Sequence, residues 1–402
     1  MIKRQLEKQL LRAAGQYPVV TVTGPRQSGK TTLIKNAFPT YRYVSLEDPD
    51  RRREAIEDPR DFLDRYNRNV IFDEAQKAPE LFSYIQTLID EQDTPGRFIL
   101  SGSQNFLLSK AISQSLAGRC AVLHLLPFSL SELEKKPPLR FDALLTPEYT
   151  HTLLQTPPNP NSHPPPIHQG FYPRIHDKNL NSTEWLSYYF QTYLERDVRE
   201  LLNVGDLEAF GRFIRLCAGR TGQLLNLSSL GNDCGISYKT ANRWLSVLEA
   251  SFLVLRLRPY HKNFNKRLIK SPKLYFLDTG LLCWLLNIHT EEQLALHHAR
   301  GAIFESLVVS ECQKYLFNTG SSAQIYFWRE SNGLEIDLLI ESSAGIMPIE
   351  IKSGKTIASD FFKNLNRWQK NIGQTNHPGA LIYSGKDLYK RKNTLVIPSA
   401  TL

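Results

Sequence analysis

A short segment near the start of the chain has the residue types and spacing that bind a polyphosphate. It matches G-x-x-x-x-G-K-[ST] at each fixed position, between an apolar stretch and a helix-like one. Its glycines let backbone N–H groups face the phosphates, Lys30 reaches the β- and γ-phosphates, and Thr31 offers a hydroxyl to Mg²⁺. The segment therefore predicts a site for ATP and Mg²⁺. The predicted binding residues are Gly24, Pro25, Arg26, Gln27, Ser28, Gly29, Lys30, Thr31 and Thr32.

Two carboxylates follow an apolar run about 40 residues further along the chain. The run VIF predicts a strand that ends at Asp73 and Glu74, and open α/β sheets bind ligands at the carboxyl ends of their strands. We expect Asp73 to hold Mg²⁺ through water. We expect Glu74 to orient and deprotonate the water that attacks the γ-phosphate. Many strands end in acidic turns, so the position after a phosphate-binding loop is what favours this assignment.

Three further residues are candidates for the same site. The apolar strand RFIL ends in polar residues, of which Ser103 or Gln104 would touch the γ-phosphate or the attacking water. A serine-glycine turn without function is the alternative. Arg119 is a candidate for stabilising the charge of the transition state, in cis or across a subunit boundary. The alternative is an arginine that pairs with a local carboxylate.

A second chemically active set lies near the C-terminus. A helical pattern carries Glu305, and two strand-like runs contain Asp337 and then Glu350 and Lys352. Side chains two residues apart on a strand share a face, so Asp337 and Glu350 can share a divalent ion beside Lys352. With Glu305 assisting the metal and Lys352 stabilising the developing charge, the set would activate water against a phosphodiester. The alternative is a nuclease-like fold that is retained for nucleic-acid or protein contact.

The middle of the chain predicts a helix-turn-helix. A turn around Gly235 separates two helical patterns, and Ser237 is suited to cap the second helix. One face of that helix carries Ala241, Leu245 and Leu248, while its exposed side carries residue types that contact phosphates and base edges. The runs FLVLRLR and KLYFLD would supply the strands of a winged helix. The candidate DNA-binding residues are Tyr238, Lys239, Asn242 and Arg243.

The positive charge of the chain is concentrated in this middle region. The 402 residues include 49 Lys or Arg and 40 Asp or Glu, a net charge of +9. Residues 196–275 contain 14 of the basic and 6 of the acidic residues, a net charge of +8. Such a local excess suits a nucleic acid, so DNA is the expected partner. Winged helices also contact proteins, and a protein partner is the alternative.

The remaining sequence supplies the elements that must position these groups. At about 100–200 residues per domain, the length predicts two to four domains. Five apolar runs in the first 136 residues alternate with helical patterns, which predicts an α/β fold with a parallel sheet flanked by helices. Ten of the 23 prolines lie between positions 137 and 173, which predicts an extended linker or surface insertion. The predicted divisions are a P-loop ATPase domain at 1–136, the linker at 137–169, a winged-helix-like domain at 170–292 and an α/β nuclease-like domain at 293–402.

The composition argues against several classes of protein. No apolar run approaches the roughly 18–20 residues of a membrane helix. The basic amphipathic start of the chain has no apolar signal-peptide core. The five cysteines are scattered without CxxC spacing, which argues against a disulfide framework or a cysteine zinc site. We therefore expect a cytoplasmic protein without a membrane partner.

Motifs along nearly the whole chain resemble one family of ATPases. The segments GPRQSGKTTL, VIFDEAQ, LSGSQNFLL and SLAGRCAVLHLLPFSLSE resemble the prokaryotic AAA+-superfamily P-loop ATPases that carry a C-terminal domain of unknown function. GFYPR, YLERDV and ISYKTANRWLSVLEASFLVLRLRPY resemble that C-terminal domain. The Asp…Glu-x-Lys pattern resembles the P-D-(D/E)-x-K nuclease superfamily, with Ile336 in place of the first proline. The resemblance implies ATPase activity, a winged helix and a nuclease-like terminus.

These features lead to three hypotheses. The first is an ATP-hydrolysing AAA+-type protein whose C-terminal modules engage DNA. The second is a non-catalytic nucleotide-dependent switch that binds DNA or a protein partner. The third is an ATP-regulated, Mg²⁺-dependent DNA nuclease. A homo-oligomer is compatible with all three.

Overall fold

The structure is a computed structural model that describes residues 2–103, 112, 114–156, 166–193, 206–260, 271–330, 333–371 and 378–402. The first part of the chain forms a sheet of five parallel strands, each from one of the runs predicted above. In chain order they are β1 (Val19–Thr23), β2 (Arg42–Ser45), β3 (Val70–Asp73), β4 (Phe98–Gly102) and β5 (Cys120–His124). Their order across the sheet is β2-β3-β4-β1-β5. The three central strands are buried throughout, as expected for a parallel sheet covered on both faces.

Helices cover both faces of this sheet. They are α1 (Leu6–Ala14), α2 (Lys30–Ala37), α3 (Pro49–Glu57), α4 (Pro59–Arg65), α5 (Leu81–Glu91) and the short α6 (Leu130–Leu133) after β5. Alternate strand residues enter two hydrophobic clusters, one shared with α3, α4 and α5 and the other with α1 and α2. The basic amphipathic start of the chain is α1, whose Leu6 and Leu10 are buried as its pattern predicts. This arrangement is the P-loop NTPase fold.

The proline-rich segment is partly helical: the prediction of an extended linker is wrong for Phe141–Ala143 and Pro147–Gln155, while the alternative of a surface insertion stays a prediction. Phe141–Ala143 forms a 3₁₀ turn and Pro147–Gln155 forms α7. Pro147 is at the start of the helix, where its missing N–H costs no hydrogen bond. Phe141 and Leu144 are buried in the hydrophobic cluster of the C-terminal region, and this burial stabilises the folded conformation. Residues 157–165 lie outside the described residues.

The middle of the chain is mainly helical. Its helices are α8 (Pro173–Lys178), α9 (Ser182–Tyr193), α10 (Leu207–Gly219), α11 (Leu227–Cys234), α12 (Tyr238–Ala250), α13 (Thr279–Leu285) and α14 (Glu291–Leu296). Two strands, β6 (Val254–Leu257) and β7 (Lys273–Phe276), pair antiparallel. Gly235 ends α11 in the left-handed conformation, and Ser237 caps α12 by accepting a hydrogen bond from the Thr240 N–H, as predicted. The three apolar residues predicted for the inner face of α12 are buried together with Trp244.

The C-terminal region is a separate domain built on a mixed sheet. Its elements are α15 (Arg300–Thr319), β8 (Gln324–Arg329), β9 (Glu335–Ser342), β10 (Gly345–Lys352), α16 (Lys363–Asn371), β11 (Gly379–Tyr383), β12 (Tyr389–Arg391) and β13 (Thr394–Pro398). The strand order is β12-β13-β11-β10-β9-β8, with β11 parallel to both of its neighbours and the other pairs antiparallel. Leu307 and Val308 of α15 pack in the cluster that covers one face of this sheet. The whole chain is therefore α/β. No helix within the described ranges has the length and apolarity needed to span a lipid bilayer.

Candidate nucleotide-binding site

The phosphate-binding loop follows β1 and leads directly into α2. Gly24 permits a close backbone approach, because a Cβ there would lie 2.1 Å from the carbonyl oxygen of Leu125. Gly29 has a φ of +90°, which glycine adopts readily, and it immediately precedes the first turn of α2. The N–H groups of the first turn of α2 and the positive end of the helix dipole are therefore next to the loop, where they favour an anion.

Lys30 is held inside the loop. Its Nζ donates hydrogen bonds to the carbonyl oxygens of Gly24 at 3.0 Å and Pro25 at 2.8 Å. The residue is 6 % exposed. Charge-assisted hydrogen bonds are about twice as strong as those between neutral groups. An ammonium held by neutral carbonyls is therefore suited to exchange them for the anionic oxygens of a phosphate.

Asp73 lies at the carboxyl end of β3 and collects three hydroxyl groups. It accepts hydrogen bonds from Thr31 at 2.8 Å, from Tyr43 at 2.7 Å and from Ser101. Burial and the neighbouring Asp73 raise the pKa of the Tyr43 phenol, which therefore stays neutral and keeps donating. The Thr31 hydroxyl and the Asp73 carboxylate are in direct contact, so one cation can reach both. Hard oxygen ligands of this kind suit Mg²⁺.

Glu74 follows Asp73 in the left-handed conformation, with a φ of +55°. This turn directs the chain out of the strand and into a 3₁₀ turn. The Glu74 carboxylate accepts hydrogen bonds from the Gln76 side-chain amide and, at 3.3 Å, from the Ser103 hydroxyl. Ser103 is thus brought to the predicted site through Glu74. Gln104 lies outside the described residues.

Eight of the predicted residues border one open cavity of about 550 Å³. The loop and α2 supply Arg26, Gln27, Gly29, Lys30, Thr31 and Thr32, and the strand ends supply Glu74 and Ser103. Helix α8 also borders the cavity, through Arg174, Asp177 and Lys178, which were not among the predicted site residues. Arg174 is the arginine of the GFYPR segment, but only the three-dimensional fold shows that it lies near the loop. Two basic residues and one acidic residue of the middle region thus border the same cavity as the phosphate-binding loop.

A second cavity of about 230 Å³ adjoins the first and shares Gly29 and Thr32 with it. Its apolar lining includes Ile2, Leu33 and Phe128. Polar side chains also line it. These are Lys3, Arg4, Glu7, Asn36 and Asp177. The pair of cavities therefore offers a polar compartment beside a more apolar one.

Arg119 lies away from the loop of its own chain. It binds Asp90 through two hydrogen bonds of 2.5 and 3.1 Å. Arg119 directly precedes β5, and the first residue of β5 pairs with the first residue of β1. The phosphate-binding loop instead follows the last residue of β1, at the other end of the strand. The separation is about 15 Å along a five-residue strand. The structure does not bring Arg119 to this site in cis, and action across a subunit boundary stays a prediction.

The candidate DNA-binding residues share one exposed surface of α12. The side chains of Tyr238, Lys239, Asn242 and Arg243 are exposed, and Tyr238 is 59 % accessible. The antiparallel pair of β6 and β7 follows this helix in the chain. Most of the segment that connects the two strands, residues 261–270, lies outside the described residues. The exposed face of α12 therefore has the composition of a phosphate-contacting surface.

The predicted nuclease-like residues assemble in the C-terminal domain, but with lysines between them. Lys352 Nζ lies 3.3 Å from Asp337 and 2.7 Å from Glu350. Lys273 of β7 contacts Glu305 at 3.1 Å and also Glu335. Tyr275 donates a hydrogen bond to Glu305. Within the described ranges no group of three or more His, Cys, Asp or Glu side chains is arranged to hold a metal, so the metal role of Asp337 and Glu350 stays a prediction.

Two carboxyl groups of this cluster have raised pKa values. Burial and the neighbouring Asp337 raise the pKa of Glu305 to about 7 and that of Glu350 to about 8. The ammonium groups of Lys273 and Lys352 act in the opposite direction, since they favour the charged carboxylates. Both glutamates therefore change protonation near neutral pH.

These shifts predict that the contribution of Glu305 and Glu350 to the free energy of unfolding falls as the pH rises from about 4.5 to 8. In that window the folded chain retains protons on Glu305 and Glu350 that the unfolded chain has released, so alkaline conditions favour unfolding. Glu350→Gln removes one of the two groups while keeping its shape. Urea unfolding at pH 5 and pH 8.5 should show a smaller decline in this variant than in the wild type. An identical decline would contradict the shift at Glu350.

Comparison with known proteins agrees with the geometry of the loop. A family model described as an AAA domain matches residues 16–134, and models described as domains of unknown function, DUF8612 and DUF4143, match residues 167–292 and 300–402. The uncharacterized protein Rv2008c of Mycobacterium tuberculosis is 30 % identical over 359 residues, covering 88 % of this chain and 74 % of that protein. The uncharacterized protein MJ1544 of Methanocaldococcus jannaschii is 22 % identical over 362 residues, covering 85 % and 75 %. Among solved structures, the Walker-type ATPase PABY2304 of Pyrococcus abyssi is 13 % identical, with 70 % of this chain and 95 % of that chain covered and a TM-score of 0.41.

The five-stranded parallel sheet, the loop before α2 and the AAA-domain match define an AAA-type P-loop domain that binds nucleotides. The C-terminal mixed-sheet domain lies within the region matched by a domain of unknown function. The chain belongs to the family that includes the Mycobacterium tuberculosis protein Rv2008c.

Proposed function

We propose that this protein binds ATP with Mg²⁺ and hydrolyses it. The observation that carries the proposal is the convergence of the loop, Lys30, Thr31 and Glu74 on one cavity, with Asp73 bonded to Thr31. These are the groups that phosphoryl transfer to water requires: a phosphate cradle, a counter-charge, a cation site and a base.

Each residue has a distinct role in this proposal. The backbone N–H groups of the loop and Lys30 bind the phosphates and neutralise their charge. Thr31 and Asp73 hold Mg²⁺, which when bound neutralises charge on the β- and γ-phosphate oxygens. Glu74 accepts a proton from the attacking water at its carboxylate, and Ser103 fixes the carboxylate by hydrogen bonding.

The surroundings of the loop fit the remaining parts of ATP. The smaller cavity, with Ile2, Leu33 and Phe128 in its wall, suits the apolar faces of a purine base. Arg174 and Lys178 of α8 border the phosphate cavity and supply positive charge there, partly offset by Asp177 of the same helix. Because α8 begins the middle region, loss of the γ-phosphate would change a contact between this region and the ATPase domain.

We propose that this change in the contact between the two regions acts on bound DNA. The support is the exposed set Tyr238, Lys239, Asn242 and Arg243 on α12, which follows a glycine turn as in a helix-turn-helix. The antiparallel strands β6 and β7 would act as the wing. Arginine and lysine contact phosphates, while asparagine can read base edges. A protein partner on the same surface is the alternative outcome.

Phosphate release from ATP by the wild-type chain, with and without duplex or single-stranded DNA, tests the proposed activity. We expect turnover that depends on Mg²⁺ and increases with the DNA form that binds. A rate below about 1 per minute even with DNA, far under the usual range for enzymes, would favour a non-catalytic switch. The DNA-nuclease hypothesis stays a prediction: Lys352 contacts Asp337 and Glu350, and Lys273 contacts Glu305.

The double variant Lys239→Ala/Arg243→Ala should weaken DNA binding about 10-fold or more in low salt. Each lost phosphate contact lowers the slope of log affinity against log salt by about 0.9 for duplex DNA. Fluorescence anisotropy at several salt concentrations measures both quantities. Lys8→Ala/Arg12→Ala on the exposed side of α1 is the matched control and should leave them unchanged. If the affinity of the wild type does not change with salt concentration, a protein partner would be favoured.

A further inference from the structure

Arg4 is a buried arginine directly behind the phosphate-binding loop. The residue is 7 % exposed and precedes α1. Its Nη1 donates a hydrogen bond of 2.6 Å to the carbonyl oxygen of Ser28, which belongs to the loop. Its Nη2 donates one of 2.6 Å to the carbonyl oxygen of Leu126, just after β5. The side chain thus ties the loop to the segment that follows the edge strand of the sheet.

The guanidinium group is itself held in one orientation. Its Nε contacts Glu132 of α6 at 3.1 Å, and its guanidinium carbon Cζ lies 4.8 Å from the centre of the Phe128 ring. Glu132 is buried and also accepts hydrogen bonds from the backbone N–H groups of Gln5 at 2.7 Å and Ser129 at 3.0 Å. Because the guanidinium is a planar fork with fixed donor directions, these contacts determine where Nη1 points.

The bond to Ser28 acts on the peptide that joins Ser28 to Gly29. In a trans peptide the C=O and the following N–H point in opposite directions. A donor that holds the Ser28 carbonyl on one side therefore directs the Gly29 N–H to the other side. Gly29 has a φ of +90° and no side chain, so little else in the residue fixes this peptide plane. Gly29 also borders the cavity assigned to the phosphates.

We propose that Arg4 is a positioning residue for nucleotide binding: it fixes the Ser28–Gly29 peptide so that the Gly29 N–H faces the phosphates. The inference rests on the proposed binding of ATP at this loop. Arg4 touches neither the water nor Glu74, and its action passes through the backbone of the loop. Helix α6, which carries the Glu132 that binds Arg4, also donates a hydrogen bond from its Leu130 N–H to Glu311 of α15. The helix that holds Arg4 is therefore bonded to the C-terminal domain as well.

The test compares Arg4→Met and Arg4→Lys with Arg97→Met. Arg97 is a matched control, because it is 8 % exposed and donates hydrogen bonds of 2.6 Å to the carbonyl oxygens of Asn67 and Leu88. Arg97 directly precedes β4, at the end of the sheet opposite the loop. Both arginines therefore bind backbone carbonyls in the same domain, but only one of them binds the loop.

We expect Arg4→Met to weaken the binding of ATP and ADP by about 10- to 100-fold, the effect of losing one well-oriented donor to a charged group. AMP lacks the β-phosphate, so its affinity should fall less than that of ATP and ADP; any loss with AMP reports the contact of Arg4 with the smaller cavity, which it borders. Arg4→Lys keeps the positive charge beside Glu132 without the fork, and its affinity should be intermediate. Arg97→Met should lower the thermal unfolding midpoint yet keep the wild-type affinity. Calorimetric titration with each nucleotide gives these values.

The outcomes separate the two proposals. If the wild type binds ATP and Lys30→Ala does not, the proposed site stands, and unchanged affinities in both Arg4 variants then overturn the role of Arg4 alone. Equal losses of affinity in the Arg4 and Arg97 variants also overturn it, because they would show a general effect of stability. A wild-type chain that binds no ATP overturns the proposed function and this inference together.

Discussion

Replacing Glu74 with glutamine is expected to lower the turnover of ATP by about 10²- to 10⁴-fold, the range for loss of a general base. Glutamine has nearly the same size and still accepts a hydrogen bond from Ser103, but its amide does not take a proton from water. Lys30 and Thr31 are untouched, so ATP should bind as tightly as in the wild type. Phosphate release at saturating ATP and the dissociation constant of ATP are the two measurements.

The matched control for this change is Glu54→Gln. Glu54 is an ion-paired carboxylate of α3 in the same domain, with contacts to Arg51 and Arg65 outside the nucleotide cavity. Its replacement should leave turnover and ATP affinity unchanged. Wild-type turnover in Glu74→Gln would contradict the assigned base. A loss of ATP binding in that variant would instead show that Glu74 supports the shape of the loop.

The sequence predicts much of the nucleotide site because its groups follow strands at short, fixed spacings. A buried parallel strand is a continuous apolar run, so β1 and β3 are recognisable, and their carboxyl ends locate Lys30 and Asp73. The contact of Thr31 with Asp73 then follows from the topology of the sheet. The same reasoning predicts the turn between α11 and α12, where Gly235 and Ser237 provide local signals.

Other site residues depend on the order of the strands, which no local pattern specifies. Tyr43 bonds to Asp73 because β2 is next to β3, with Ser45 opposite Asp73. Arg174 borders the cavity from α8, far along the chain from the phosphate-binding loop. The position of Arg119 at the opposite end of the sheet is likewise a consequence of alignment between β1 and β5.

The contacts of the nuclease-like residues in the C-terminal domain could likewise be predicted only in part from the sequence. Sequence spacing predicts that Asp337, Glu350 and Lys352 share one face of β9 and β10, and Lys352 contacts both carboxylates. Lys273 and Tyr275 come from β7, which sequence analysis assigned to the separate middle region. Their contacts with Glu305 join two regions that composition alone separates. A cation supplied by one region thus neutralises carboxylates supplied by the other.

Replacing Lys273 with methionine is expected to lower the free energy of unfolding by about 3 kcal/mol, as when one partner of a buried ion pair is removed. The Lys273 side chain is 3 % exposed and contacts Glu305 and Glu335. Methionine keeps much of its length but leaves Glu305 without this ammonium, while Glu335 keeps its contact with Arg329. Urea unfolding at pH 8 measures this loss of stability. The dependence of the unfolding free energy on urea concentration should be compared between the variants.

Arg329→Met is the control, since it removes an exposed cation from the same Glu335. The Arg329 side chain is 45 % exposed, and exposed ion pairs contribute about 0–1 kcal/mol. The double variant Lys273→Met/Glu305→Gln should lose less stability than the sum of the two single variants, because the carboxylate left unpaired is then neutral. Simple additivity of the two losses would contradict a direct interaction between Lys273 and Glu305.

The pH dependence of the Lys273→Met variant separates charge from packing. Burial and Asp337 already raise the pKa of Glu305 to about 7 with Lys273 in place, and removal of the ammonium raises it further. At pH 5 Glu305 is therefore protonated in both folded chains, and it no longer requires a cation. The loss of stability should be smaller at pH 5 than at pH 8. A loss of equal size at the two pH values would assign the effect to the packing of the lysine side chain.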